Sequence, residues 1–417
     1  MRRTPLSTFF DSRWVDRPPH VTELAGGLPR GFRAAGVAAG LKPSGGLDVG
    51  LLVADEPGTT SAARFTVSGV LAAPVVVTQE RTRLDALRVV AANSGNANAA
   101  TGGRGMDAAA KMQGAAAMCA GVREDQVAVA STGVIGVQLD ADKVTKGLLA
   151  CRGALATDGD ATFAEAIRTT DLFPKQASLE VALPAGTVRL SAQCKGAGMI
   201  SPRFATMLCF VQTDAALSAE TADLLLGVCV KRSFDRISVD GQLSTNDTAI
   251  LMASGASGVT VAPQSEDELR LGEALDALLR QLAILIARDG EGAKRVGRVV
   301  VTGANQQAAD LVARAVANSP LVKAALHGGD PNWGRIAQAA GAALPGTAPL
   351  ALGIGIEQVE VSVRGSAVRY DAAALADAVS GPEVEFPVAL PGEGADAEVF
   401  FSDLSHQYVT INADYTT

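Results

Sequence analysis

Lys195-Gly196-Ala197-Gly198-Met199-Ile200-Ser201-Pro202-Arg203-Phe204-Ala205-Thr206-Met207-Leu208 is a glycine-rich, sparsely charged run that passes through a proline to an alanine–threonine pair, then enters the apolar stretch Met207 to Val211. That order suits a strained turn delivering one hydroxyl into a buried pocket. If the Ala205–Thr206 bond breaks, Thr206 becomes a chain terminus carrying nucleophile and general base on one residue. An α-amino group, with a reference pKa of about 7.7–8.0, is partly neutral at neutral pH and accepts the hydroxyl proton. Such a nucleophile needs no histidine. The plainer reading of the glycines is an ordinary tight turn before a core strand, and from this run alone it prevails.

The rest of the chain offers few other nucleophile systems. Its three histidines, His20, His327 and His406, stand in a Pro-flanked segment, in a glycine loop and near the end. There is no G-x-S-x-G elbow, no H-E-x-x-H pair and no Walker A lysine loop. Cys119, Cys151, Cys194, Cys209 and Cys229 are odd in number and widely spaced, with no C-x-x-C. They support neither a zinc site nor a disulfide framework, so no metal and no resident cofactor are expected. Cys209 lies inside the apolar run and reads as a core filler.

Composition narrows the class. At 417 residues the chain is too long for one simple core. Hydrophobic residues make up 48% and aromatics only 4%, which describes a core of Ala, Val, Leu and Ile. A net charge of −8 argues against nucleic acid as the main partner, because phosphates demand a basic face. No apolar run approaches the ~20 residues that span a bilayer. Met1-Arg2-Arg3 hints at a twin-arginine signal, but Asp11, Arg13, Asp16 and Arg17 follow and leave no apolar region after it. The expectation is a soluble, cytoplasmic protein without a membrane partner.

Hydrophobic periodicity predicts alternating strands and helices. Val49 to Ala54, Leu71 to Thr78 and Leu87 to Ala92 read as buried strands, Ala108 to Ala120 as a helix, and Gln126 to Ser131 as a strand. Asp140 to Leu155 reads as a helix, and Leu179 to Leu183 with Val188 to Ser191 as a hairpin. Met207 to Gln212 then reads as a strand and Ala219 to Ser233 as a helix capped by Ser218. The clearest helix is Glu266 to Arg288, with Leu271, Leu275, Leu278, Leu279, Leu282 and Leu285 on one face. Val299 to Thr302 reads as a buried strand, and the first ~25 residues as a loosely ordered extension. The predicted architecture is mixed α/β, with sheets layered against helices.

Several short stretches are richer in polar residues than packing alone requires. Asn93-Ser94-Gly95-Asn96-Ala97-Asn98 ends a strand in amides, and Ser131-Thr132-Gly133-Val134-Ile135-Gly136 follows a strand with N–H groups free to meet one ligand oxygen. Ser244-Thr245-Asn246-Asp247-Thr248 is a dense polar cluster, and Glu291 sits between glycines at a helix end, where a carboxylate can bind an ammonium group. His327-Gly328-Gly329-Asp330-Pro331-Asn332-Trp333-Gly334-Arg335 combines a glycine loop, an aromatic and an arginine. Each alone also fits a turn or strand end chosen for geometry.

In combination, and with Thr169-Thr170-Asp171, Ala205-Thr206-Met207-Leu208, Asp289-Gly290-Glu291-Gly292-Ala293 and the closing Tyr408-Val409-Thr410-Ile411-Asn412-Ala413-Asp414-Tyr415-Thr416-Thr417, these motifs resemble the glutamate N-acetyltransferase (ornithine acetyltransferase) family of arginine biosynthesis. The resemblance runs in order from about Leu28 to the last residue. It implies a layered α/β fold of the ornithine acetyltransferase and self-processing aminopeptidase type. It also implies self-cleavage between Ala205 and Thr206. Residues 1–27 would be an N-terminal extension, 28–205 an α chain and 206–417 a β chain, associating into an (αβ)2 or larger assembly. Thr206 matches the family's nucleophile, which takes the acetyl group of N2-acetylornithine as an ester and passes it to glutamate. Thr132 and Gly133 match oxyanion-hole positions, where losing one donor costs about 10²–10³ in rate. Thr169, Lys195, Thr206, Glu291, Asn412 and Thr417 match substrate-binding positions, so the C-terminal tail is expected to fold into the site and to tolerate tags poorly. Acetyl-CoA is the alternative donor in the bifunctional branch.

The sequence departs from the family pattern in places. Arg168 stands where methionine is frequent, Leu172 where threonine is usual, and Ala100 where cysteine is frequent; Asp240-Gly241-Gln242-Leu243-Ser244 replaces the common Asp-Gly-Asp-Thr-Ser. Nucleophile, oxyanion donors, Lys195 and Glu291 are intact, so the departures bear on substrate choice. A paralogue acting on a modified amino acid is one alternative. Others are an N-terminal-nucleophile amidohydrolase using the same Thr206 and a non-catalytic ligand-binding relative.

Overall fold

Side chains along the strand Leu208–Thr213 alternate between two buried faces: Cys209 and Val211 join one core, Leu208 and Phe210 another. The parallel neighbour Thr248–Ala253 does the same, with Ala249 and Leu251 on one side and Ile250 and Met252 on the other. A strand buried on both faces must lie inside a stack of layers. A computed structural model describes residues 8–201, 207–303 and 305–414 and contains that stack. The two strands are central in a six-stranded sheet of order Val21–Leu24, Lys175–Leu183, Gly186–Lys195, Leu208–Thr213, Thr248–Ala253, Thr60–Phe65.

Helices Ala219–Arg232 and Glu266–Arg288 cover one face of this sheet. The other face packs on a four-stranded sheet of order Phe32–Val37, Val49–Ala54, Val89–Asn96, Val127–Val134, where Leu52, Val90, Ala92 and Ala130 meet Phe210 and Met252. The far side of the second sheet carries helices Ala73–Arg81, Gly102–Ala120 and Ala141–Ala154. The order is helix, sheet, sheet, helix, a mixed α/β fold as the sequence predicts. Alanine suits the outer layer: Ala108, Ala109, Ala115 and Ala116 let helix Gly102–Ala120 lie close to the strands.

Helix Glu266–Arg288 shows why the sequence folds this way locally. The Ser265 hydroxyl accepts the Glu268 N–H at 3.1 Å, acidic residues fill the first turn, and Arg288 closes the last. The six predicted leucines are all buried. Beyond this helix a seven-stranded sheet, running from Ile237–Ser238 through Asp396–Ser402 and Val296–Thr302 to Ser366–Ala367, forms a C-terminal unit with helices Gln306–Asn318 and Trp333–Ala343. Phe400 packs into the core of the six-stranded sheet and Phe401 into that of the C-terminal unit. Among the described residues, no helix is long and apolar enough to cross a membrane.

Two expectations are corrected. Leu71 to Thr78 is not a strand: Ala73–Arg81 is a helix with Pro74 in its first turn. Its valines are buried on two sides, Val77 against the four-stranded sheet and Val75 against Ala97 and Ala99, which erases the polar gaps of an amphipathic helix. Residues 8–24 are not loose. Val15 is buried, Phe9, Phe10 and Trp14 pack on the core, Asp11 pairs with Arg288 at 2.6 Å, and Val21–Leu24 is an edge strand. Strands Val89–Asn96 and Val127–Val134 also run further than predicted, into the polar motifs.

Candidate active site

The strands Val89–Asn96 and Val127–Val134 run parallel until their ends, where the register shifts at Asn96 opposite Thr132 and Val134. Gly133 occupies the shift with φ +132°, and a Cβ there would stand 2.4 Å from the Gly95 carbonyl carbon, so glycine is required. Thr132 and Gly133 thereby line a cavity of about 150 Å3. Lys195 ends the strand Gly186–Lys195 of the facing sheet and reaches the same cavity, its Nζ donating to Thr132 Oγ1 at 3.2 Å. Lys195 is buried, which pulls its ammonium below the ordinary lysine range, with Asp171 opposing the shift.

Glu291 arrives from the turn that ends helix Glu266–Arg288. Its N–H donates to Ala197 O at 3.0 Å, tying the turn to the glycine run. Gly198 makes the approach feasible, because a Cβ there would lie 2.8 Å from Glu291 Cδ. Glu291 Oε1 accepts the Thr170 hydroxyl at 2.8 Å and Oε2 accepts Asn412 Nδ2 at 2.7 Å. The helix His406–Asp414 thus closes over the site and contributes Tyr408 and Asn412 to its wall.

Beneath the cavity lies a fully buried ion cluster. Lys175 Nζ sits 2.7 Å from Asp171 Oδ1 and 2.7 Å from Asp289 Oδ2. Against the penalty of burial, Lys175 and Lys195 hold the Asp171 carboxyl below the usual carboxylate range. Burial pushes Asp289 up, with Lys175 opposing.

Of the residues anticipated from the sequence, Thr132, Gly133, Thr169, Lys195, Glu291 and Asn412 line one cavity. Ala205, Thr206 and Thr417 lie outside the described residues. Met207, the next residue after that stretch, is buried and donates its N–H to Asp247 Oδ1 at 3.0 Å. Asp247 is itself buried, which pushes its carboxyl well above the ordinary range.

Sequence reasoning did not assign Thr170, Gly198, Met199, Asp240, Gln242 and Tyr408 as lining residues. Asp240 folds the glycine run into place by accepting the N–H groups of Met199 at 2.7 Å and of Ile200 and Gln242 at 3.0 Å. Burial, then the charges of Asp240 and Glu291, push the Tyr408 phenol up. A signal was available in the Asp240-Gly241 pair, which has the composition of a turn.

The other polar motifs are scaffolding. Ser131 Oγ donates to Asn93 Oδ1 at 2.6 Å, and Asn246 Nδ2 donates to Ala97 O at 2.7 Å and Ser131 O at 2.9 Å, stitching the ends of the two sheets together behind Thr132. The His327–Arg335 stretch is not at the cavity. His327 Nδ1 lies 2.7 Å from Asp403, and Trp333 packs on the C-terminal core. All five cysteines are buried and free.

A family model described as the ArgJ family matches residues 33–417. The arginine biosynthesis bifunctional protein ArgJ of Symbiobacterium thermophilum is 44% identical over 400 residues, covering 94% of this chain and 99% of the relative. Its namesake in Rhodopirellula baltica is 43% identical over 397 residues, covering 94% and 96%. Among solved structures, the ornithine acetyltransferase of Mycobacterium tuberculosis complexed with ornithine is 36% identical, covering 45% of this chain and 99% of the solved one, with a TM-score of 0.41.

Proposed function

The chain belongs to the ArgJ family, and we propose that it moves an acetyl group from N2-acetylornithine to glutamate through an ester on Thr206, after self-cleavage at Ala205–Thr206. The observation that carries this reading is the single cavity shared by Thr132, Gly133, Thr169, Lys195, Glu291 and Asn412. Its chemistry fits an N-acylated diamino acid: the Lys195 ammonium suits the α-carboxylate, and the Glu291 carboxylate suits the side-chain ammonium.

In the first half-reaction the freed α-amine of Thr206 takes the proton of its own hydroxyl, and Oγ attacks the acetyl carbonyl. The N–H group of Gly133 and the Thr132 side are the donors we assign to the developing oxyanion. Collapse expels the ornithine α-amine, which receives the proton held by the Thr206 amine, and leaves the acetyl ester. Ornithine departs, the neutral α-amine of glutamate attacks the ester, and the hydroxyl of Thr206 is regenerated. Both substrates are α-amino acids, so Lys195 can hold the carboxylate of each in turn.

Intact mass of untagged protein beside Thr206→Ala tests the first step. Two fragments meeting at Ala205/Thr206 in the wild type and one uncut chain in the variant are expected; an uncut wild type refutes the self-activating nucleophile. Product analysis with and without glutamate tests the second step. Release of acetate in place of N-acetylglutamate would mark an amidohydrolase. Acetyl-CoA is the second donor we propose, and the same assay with it in place of N2-acetylornithine reads that activity.

A further inference from the structure

Lys175 takes no part in the steps above, yet its ammonium bridges two buried carboxylates below the site. Its side chain is wholly buried, and its ammonium meets Asp171 and Asp289 at 2.7 Å each. Asp171 also accepts the N–H of Gly196 at 2.7 Å and of Thr169 at 3.2 Å, while Asp289 accepts the N–H of Leu172 at 3.0 Å. One ammonium therefore joins three segments of the cavity wall: the loop bearing Thr169, the strand end bearing Lys195, and the turn bearing Glu291. In the sheet Lys175 stands opposite Cys194, the residue before Lys195. Among the described residues Asp289 Oδ1 has no hydrogen-bond partner, and its Oδ2 takes both the Lys175 ammonium and the Leu172 N–H. Without the ammonium, two buried carboxylates would repel one another, and the turn bearing Glu291 would be held toward the strand bearing Lys195 by neutral bonds alone, chiefly the Glu291 N–H to Ala197 O, so their separation would shift.

We propose that Lys175 is a positioning residue that sets the separation of Lys195 from Glu291, and with it the length of diamino-acid side chain the site accepts. The inference rests on the donor reading above, in which those two groups clamp opposite ends of one substrate. Clamping both ends makes the pair a ruler: a donor one methylene shorter or longer misplaces its acetyl carbonyl, and misplacement by about 1 Å can cost about 10²-fold.

The test measures kcat and KM for the N2-acetyl derivatives of 2,4-diaminobutyrate, ornithine and lysine, with glutamate as acceptor. The enzymes are wild type, Lys175→Met, Lys175→Arg and Asp289→Asn. Wild type is expected to prefer one chain length by at least about tenfold in kcat/KM. Lys175→Met and Asp289→Asn are expected to raise KM for that donor about tenfold with kcat within about threefold, and to flatten the preference. Lys175→Arg restores part of the preference. Asp289→Asn keeps the side-chain shape and covers the case in which Lys175→Met does not fold. An unchanged length preference in a folded variant, with all three donors slowed alike, overturns the proposal and leaves the donor reading standing. A wild type that uses none of the three donors overturns the donor reading and the ruler with it.

Discussion

At Gly198 the backbone passes so close to Glu291 that an added methyl group would stand 2.8 Å from the carboxylate carbon. Gly198→Ala must therefore push Glu291 or the glycine run aside, and KM for a cationic acetyl donor is expected to rise about tenfold. Steady-state kinetics on N2-acetylornithine check this, and an unaltered KM would separate Glu291 from substrate binding. The residues of the cavity wall were legible from the sequence in proportion to how much motif surrounds them. Thr132, Gly133, Lys195 and Glu291 each sit in a stretch whose composition packing alone does not require. Asp240 and Tyr408 lie in stretches whose composition marks a turn and the chain's closing motif, with nothing local to say what they touch. Asp240 acts on Met199 and Ile200, about 40 residues earlier, through backbone N–H groups that leave no mark on composition. The amide clusters around Asn93 and Asn246 were ambiguous for the converse reason, since a strand end that bridges two sheets needs the same side chains as a ligand site.

Elements were legible where local and tertiary forces agree. Glu266–Arg288 has a hydroxyl cap, an acidic first turn and one leucine face. Ser265→Ala removes the acceptor for the Glu268 N–H and is expected to cost about 1 kcal/mol, read as a lower urea midpoint at unchanged slope. A change in slope would instead implicate more than the cap. Ala73–Arg81 escaped the sequence reading because it is wedged between two apolar surfaces, and burial on both sides hides its period. The segment before Val21 escaped for another reason. Its Pro- and charge-rich composition suggests solvent, but Phe9, Phe10, Trp14 and Val15 anchor it, and its charges are used: Asp11 meets Arg288.

Across the whole molecule, Lys323 ties the C-terminal unit to the region of the cavity by donating to Val239 O at 2.9 Å and Ser402 O at 2.6 Å. Burial pulls its ammonium from 10.5 down to about 7, with Asp240 and Asp403 opposing. The folded value lies below the unfolded one, so from about pH 7 to 10.5 the unfolded chain holds a proton that the native protein has released. This group's penalty on stability is complete below pH 7 and is relieved as the pH climbs. Relative to Lys323→Met, wild type is therefore expected to gain stability between pH 6 and pH 9 in urea titrations; a pH-independent difference would mean that Lys323 stays charged.

The layout of the six-stranded sheet has a last consequence. Leu208–Thr213 and Thr248–Ala253 lie between Gly186–Lys195 on one side and Thr60–Phe65 on the other. A chain severed between Ser201 and Met207 would thus remain laced together by backbone hydrogen bonds on both flanks, with Lys195 paired to Leu208 and Thr248 to Phe65. If the chain is cut there, translation from one reading frame would supply the two halves in strict equality, each already seated in the other. Two separate genes would have to match their output, because neither product could cover its own apolar strands, and any surplus of one would be fodder for proteases.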